Sequence, residues 1–390
     1  MIHYKSYIKS TATILNLYKG DEPFANFLKK YFGANKKFGS KDRKYITALC
    51  YNFFRLGKAY TDMPIEEKIF LSTFLIGNYE KDFLLLLKDD WLSLAKKTLQ
   101  EKLTHLQIDV KLIFPFVDEL SEGIEHTTLC QSYFMQPKLF LRFREQFLRW
   151  QMLERLNASK IPYKWEDLEC LSFENGTKVE EVLKVGEEVI VQDYSSQQTL
   201  NYIKENREFF KSPNIDVWDC CAASGGKSIL YYDIMKLKSQ ITVSDVRLSI
   251  LNNLHQRFKK AGIAQYNYFV CDLEKNKSPL PQIQYSTIIC DAPCSGSGTW
   301  GRTPEQLYFF EPKKIKHYTA LQQKIITNAM PQLKDGGHFF YITCSVFKAE
   351  NEEQVKFIEK KCKLKLIQMN VLKGYDKQAD SMFVAVFKKK

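Results

Sequence analysis

From about residue 191 onward, short apolar runs rich in β-branched residues alternate with helical stretches, and four of those runs end on an acid. They are Val217-Trp218-Asp219, Ile241-Thr242-Val243-Ser244-Asp245, Tyr268-Phe269-Val270-Cys271-Asp272 and Thr287-Ile288-Ile289-Cys290-Asp291. Strands that alternate with helices call for a parallel sheet with right-handed crossovers. The acids then fall at the carboxyl ends of the strands, where open α/β sheets place their chemistry. One such acid is as readily a helix cap or a turn residue. Four together are hard to explain that way, so the second half is expected to be a Rossmann-like α/β domain. A fifth run, Gly337 to Ile342, delivers Thr343-Cys344-Ser345 to the same edge, and Glu350-Asn351-Glu352-Glu353 then opens a helix with acids suited to its dipole. The segments Leu364–Met369 and Met382–Phe387 have room to form a closing antiparallel hairpin.

Two turns at the strand ends carry the chemistry. Asp291-Ala292-Pro293-Cys294-Ser295-Gly296-Ser297-Gly298 joins a carboxylate and a thiol in a tight loop stiffened by proline and freed by glycine. Cys220-Cys221-Ala222-Ala223-Ser224-Gly225-Gly226-Lys227 is a turn of small residues before a helix, which lets a ligand approach backbone amides at the helix start. Gly226-Lys227-Ser228 copies the tail of a phosphate-binding P-loop, but Cys221 stands where the leading glycine belongs, and the dinucleotide pattern G-x-G-x-x-G is also missing. Asp245 lies along the chain about where a ribose-binding carboxylate sits in nucleoside-cofactor folds.

The chain of 390 residues carries 57 Lys and Arg against 45 Asp and Glu, a net charge of +12 that suits a polyanionic partner, nucleic acid above all. No apolar run approaches the roughly 18 residues of a membrane helix, and Met1-Ile2-His3-Tyr4-Lys5 lacks a signal-peptide core, so a cytoplasmic protein without a membrane partner is expected. The 10 cysteines are expected as thiols. No metal is expected either, since no C-x-x-C occurs, the histidines are scattered, and Cys290 to Cys294 is an isolated C-x-x-x-C.

Residues 1–130 read as helical. Phe24, Phe27, Leu28, Tyr31 and Phe32 form one apolar stripe, and Ser40 can cap a helix carrying Tyr45, Ile46, Leu49, Phe53 and Leu56, with Lys41, Arg43 and Lys44 in its opening turns as candidate phosphate ligands. Further helices are expected around residues 69–75, 83–99 and 112–120. Residues 131–190 read as a small α+β module: Leu139, Leu141 and Phe143 alternate with Phe140, Arg142 and Arg144, which puts two arginines on one strand face for a nucleic-acid backbone. Residues 191–390 are then the α/β domain.

With these stretches in view, the second half resembles the RsmB-like (Sun/Fmu) family of RNA cytosine-5 methyltransferases. The matching stretches are Asp219 to Ser228, Asp245 with its helix, Asp272, Asp291 to Gly298, Gly336-Gly337 through Thr343-Cys344-Ser345, and Gln192-Asp193 with Ser196-Gln197. Ser40-Lys41-Asp42-Arg43 and the helix after it more loosely resemble the family's N-terminal NusB-like RNA-binding domain. The resemblance implies a Rossmann-like methyltransferase domain acting as a monomer on RNA, small-subunit ribosomal RNA first. It implies S-adenosyl-L-methionine held by Cys221, Ala222, Ala223, Ser224, Gly225, Gly226 and Lys227, with Asp245 on the ribose and Asp272 near the adenine. Asp291 would sit beside the cytosine, Cys344 would be the nucleophile and Cys294 its helper. Where the family usually has proline this chain has Ser224, which frees a donor and is expected to loosen the turn.

Carbon 5 of cytosine is too electron-poor to be methylated unaided. A thiolate added at carbon 6 makes carbon 5 nucleophilic, and a carboxyl group held protonated by its surroundings, Asp291, suits ring nitrogen 3. The target base must be single-stranded or flipped, with Trp300 available either for stacking or for simple packing. A DNA- or tRNA-directed cytosine-5 methyltransferase, in the DNA case with its nucleophile in the Pro293-Cys294 step, stays open as an alternative. So does a catalytically dead RNA-binding assembly factor.

Overall fold

The computed structural model describes all residues except 1, 78, 80, 88, 211–215, 236–239, 276–279 and 281. The chain separates into two compact units, one of Met1–Asp118, Glu125–Gln136 and Trp300–Glu311, the other of Glu119–Ile124, Pro137–Thr299 and Pro312–Lys390.

The first unit is helical. Helix Phe24–Ala34 turns Phe24, Leu28 and Phe32 inward, as the stripe predicts, and helix Ser40–Phe54 buries Ile46, Leu49, Cys50, Phe53 and Phe54. Its cap is Gly39 rather than Ser40, because the Asp42 carboxylate accepts from the Gly39 amide at 2.9 Å and draws the helix start back one residue. The single helix expected over 83–99 is broken into short ones. Thr98 opens a new helix there: its side chain accepts from the Glu101 amide while Glu101 accepts from the Thr98 amide, a reciprocal cap. The helix expected over 112–120 is reduced to two 3-10 turns, Val110–Ile113 and Val117–Glu119, separated by Pro115, which has no amide to donate. Trp300 is fully buried here, 4.8 Å from the Phe310 ring and 5.9 Å from the Phe114 ring. Of its two expected roles the packing one holds, and Trp300 presents no face to a base.

The second unit holds two sheets. The four-stranded antiparallel one has the order β2-β3-β1-β4, where β1 is Leu139–Phe143, β2 Lys164–Asp167, β3 Cys170–Phe173 and β4 Val189–Val191. The period-two pattern of β1 is real, but both its faces are buried. Arg142 and Arg144 are therefore not offered to a nucleic-acid backbone: each reaches Asp233 at 2.8 Å, with side chains 5% and 1% exposed. Asp233 belongs to helix Gly226–Met235, so the two guanidiniums brace that helix.

The larger sheet has the order β10-β11-β9-β8-β5-β6-β7, with β5 Asp216–Asp219, β6 Gln240–Asp245, β7 Asn267–Val270, β8 Tyr285–Asp291, β9 Leu333–Thr343, β10 Lys365–Leu372 and β11 Met382–Lys388. Strands β5 to β9 are mutually parallel, and β10 and β11 form the expected closing hairpin, with β11 antiparallel to β9. The chain runs from β5 outward through β6 and β7, then returns to β8 on the other side of β5. That reversal makes the carboxyl ends of β5 and β8 the switch point of the sheet, a natural ligand crevice. Among the described residues no helix is long and apolar enough to cross a membrane.

Candidate active site

Asp219, Asp245, Asp291 and Thr343 end four of these parallel strands. After β5 the chain stays pinned to its neighbours, with Cys220 donating to the Ile289 carbonyl at 2.9 Å and Ala222 to the Ser244 carbonyl at 3.0 Å. The turn then tightens through Ala223 at φ 46° and Gly225 at φ 80°. Ala223 is in the left-handed region that a non-glycine residue enters at a cost, a strain that collects at functional sites. A Cβ on Gly225 would lie 2.8 Å from the Phe258 ring, so packing as well as φ requires glycine there. A Cβ on Gly226 would meet nothing within 4 Å, which leaves open space at the helix start.

Asp245 closes on this turn. It is 8% exposed, and its two oxygens accept from the amides of Ala223 at 3.1 Å and Arg247 at 3.0 Å. Ser224 is not loose: the Arg257 guanidinium donates to its hydroxyl at 2.7 Å and to its carbonyl at 3.0 Å, a restraint that replaces the missing proline ring. Asp272 lies past the end of the outer strand β7, accepting from the Glu274 amide at 3.1 Å and pairing with Lys275 at 3.1 Å. Beneath the turn Asp219 is fully buried and accepts from Ser228 at 2.6 Å. Burial pushes its carboxyl up to about 7 against that hydrogen bond.

Lys227 and Asp291 form an ion pair at 2.6 Å. Burial would lower the lysine pKa, yet the net shift is upward because the Asp291 charge and hydrogen bond outweigh it. The carboxyl group expected beside the cytosine is thus paired with Lys227. It is the pair that faces the crevice, and Lys227 is committed to it.

The two cysteines expected from distant parts of the chain meet, with their sulfurs 3.4 Å apart. The Cys294 pKa is driven well above that of an ordinary thiol, first by its hydrogen bond with Cys344 and then by burial. Either sulfur can donate to the other in this contact. The loop carrying Cys294 is tied to the strand end carrying Cys344 by the Gly298 amide, which donates to the Cys344 carbonyl at 2.9 Å. Gly298 must be glycine, because a Cβ there would approach the Ser381 carbonyl oxygen to 2.0 Å.

A residue that sequence reasoning misplaced completes the tie. Glu350, expected as one of the acids that open a helix, is completely buried and lies just before that helix begins. It accepts from the Ser295 amide at 2.8 Å, the Gln322 amide group at 3.3 Å, and the hydroxyls of Ser295 and Ser345 at 2.5 Å each. One carboxyl group therefore links the Cys294 loop to the Cys344 loop. Asn351 steadies the Cys344 side alone, accepting from Thr343 at 2.6 Å and donating to the Ser345 carbonyl at 2.9 Å, the two residues that flank Cys344. No spacing rule marks these roles, which depend on where the helix at Glu352 begins.

A family model described as "16S rRNA methyltransferase RsmB/F" matches residues 209–387. The "Probable ribosomal RNA small subunit methyltransferase B" of Bacillus subtilis is 27% identical over 232 residues, 58% of this chain and 50% of that protein. The mouse "tRNA (cytosine(72)-C(5))-methyltransferase NSUN6" is 32% identical over 154 residues, 37% of this chain and 32% of that protein. The chain thus spans half or less of the length of these relatives. Among solved structures, that of PH0851 superposes with a TM-score of 0.67 at 18% identity, covering 98% of both chains. A methyltransferase homologue from Pyrococcus horikoshii superposes with a TM-score of 0.58 at 18% identity, covering 74% of this chain and 98% of its own. These likenesses establish a methyltransferase fold, and residues 209–387 match the RsmB/F methyltransferase family model.

Proposed function

We propose that this chain transfers a methyl group from S-adenosylmethionine to carbon 5 of a cytosine in RNA, with small-subunit ribosomal RNA as the substrate and the helical first unit, NusB-like in role, helping to hold it. The observation that carries the reading is the pair of sulfurs 3.4 Å apart, one in the loop after β8 and the other just past the end of the neighbouring strand β9. The residues around the turn fit the cofactor: Gly226 opens onto free space, and the Asp245 carboxylate beside the Ala223 amide is placed for ribose hydroxyls, with Asp272 one strand further out for the adenine. When bound, the cofactor supplies an electrophilic methyl group.

This chain's residues do the rest. Cys344 gives its proton to solvent, and its thiolate, with the Cys294 sulfur 3.4 Å away, adds to carbon 6 of the cytosine. The Lys227–Asp291 pair supplies the hydrogen bond or proton that ring nitrogen 3 needs as that bond forms. After methyl transfer solvent takes the carbon 5 proton, the electron pair of that bond closes the carbon 5–carbon 6 double bond, and the carbon 6–sulfur pair leaves on Cys344 as thiolate, which the neighbouring Cys294 thiol protonates, to be reprotonated in turn from solvent. A DNA-type mechanism would instead take Cys294 as the thiolate. Bisulfite sequencing of total RNA from cells with and without the gene tests the reading. A cytosine whose protection disappears with the gene supports it, and an unchanged protection pattern in ribosomal and transfer RNA sinks it.

A further inference from the structure

Three further thiols converge behind the cofactor turn. The Cys220 amide donates to the Ile289 carbonyl at 2.9 Å, continuing the β5–β8 ladder so that Cys220 comes alongside Cys290. With Cys221, the first residue of the turn, they form a group whose three sulfurs all lie within 4.8 Å of one another. Cys220 and Cys290 are buried, whereas Cys221 is partly exposed and gives access from outside. Three thiolates around one ion at a metal–sulfur distance of about 2.3 Å stand roughly 4 Å apart, so closing the group needs only small side-chain rotations. The spacing of the cysteines along the chain conceals this arrangement, because the third ligand arrives from a neighbouring strand.

We propose that Cys220, Cys221 and Cys290 bind a single thiophilic metal ion, Zn2+ with a solvent molecule in the fourth position on the Cys221 side, or Cu+ in a three-coordinate site. Soft sulfur donors favour these ions over Mg2+ or Ca2+. Binding forms three metal–sulfur bonds and releases three thiol protons to solvent, with no change in oxidation state. An ion here ties the end of β5 to β8, one residue before Asp291, and so braces the strand ends that carry the methyl-transfer site. The proposal stands independently of the reaction at Cys344.

The test uses the full chain carrying Cys294→Ser and Cys344→Ser, so that the other sulfur pair cannot report. The reduced protein is titrated with Zn2+ and with Cu+ against chromophoric chelators, and with Cd2+ by its thiolate charge-transfer absorption. One equivalent of Cd2+ and of either physiological ion is expected, with a rise in Tm on loading. Adding Cys290→Ser or, at the partly exposed position, Cys221→Ser should weaken binding at least about tenfold and remove the Tm rise. The Tm and circular dichroism of the metal-free variants confirm that they are folded. Zn2+ binding without Cu+ binding, or the reverse, assigns the ion. Failure of both ions to bind, or equal affinity in both added variants, overturns the site.

Discussion

A buried carboxyl group whose charged form is disfavoured leaves a signature in stability, and Asp219 is that group here. Its folded pKa, about 7, lies above its unfolded value, so the stability it contributes is full below the unfolded pKa near 4 and is lost as pH rises through about 7. Asp219→Asn should remove this downward slope. The difference in Tm between variant and parent, followed from pH 4 to 8, should shift in favour of the variant as pH rises, and a constant difference would show that Asp219 does not titrate in this range. At Asp245 the expected change is in binding. Asp245→Ala removes a charged acceptor worth about 1.5–3 kcal/mol for ribose hydroxyls, so calorimetry with S-adenosylhomocysteine should show a loss of that size. An undiminished affinity would take Asp245 out of the cofactor site. What the chain spelled out at this scale was identity: Asp245, Asp291, Cys294 and Cys344 stand in recognisable turns. Partnership was hidden, because Lys227 with Asp291 and Glu350 with Ser295 are neighbours only after β5, β8 and β9 lie side by side.

At the scale of elements, helix Gly226–Met235 is held from the side by Arg142 and Arg144 through Asp233. Asp233→Ala would leave two buried guanidiniums without that counter-charge, and a destabilisation of about 3–5 kcal/mol is expected in urea unfolding. A loss below about 1 kcal/mol would mean that solvent reaches the arginines. The alternation in β1 was legible, but which medium covers its second face was not, since period two says only that the faces differ. The parallel strands were legible because each is a continuous apolar run between turns. The helical region is less legible: the apolar periodicity over 83–99 conceals the reciprocal cap at Thr98, and that over 112–120 runs across Pro115, which cannot donate to a helix.

For the whole molecule, the net charge of +12 predicts RNA binding that weakens steeply with salt. Lys41 and Lys44 are exposed on helix Ser40–Phe54, whereas Arg43 is engaged with the Phe38 carbonyl at 2.9 Å. Replacing Lys41 and Lys44 together by Gln should reduce the slope of log K against log salt by about 1.4 if both contact single-stranded RNA phosphates. An unchanged slope would move the RNA path off that helix. The segment Trp300–Glu311 belongs to the helical unit, so the intact chain is the right material for this measurement.

The central claim concerns the two sulfurs, and one denaturing gel addresses it most directly. A small-subunit ribosomal RNA transcript is incubated with S-adenosylmethionine and either Cys294→Ala or Cys344→Ala. If Cys344 attacks carbon 6 and Cys294 serves only in release, Cys294→Ala should accumulate a slow-migrating protein–RNA adduct and Cys344→Ala should give none. An adduct from Cys344→Ala and none from Cys294→Ala would contradict the account and make Cys294 the nucleophile.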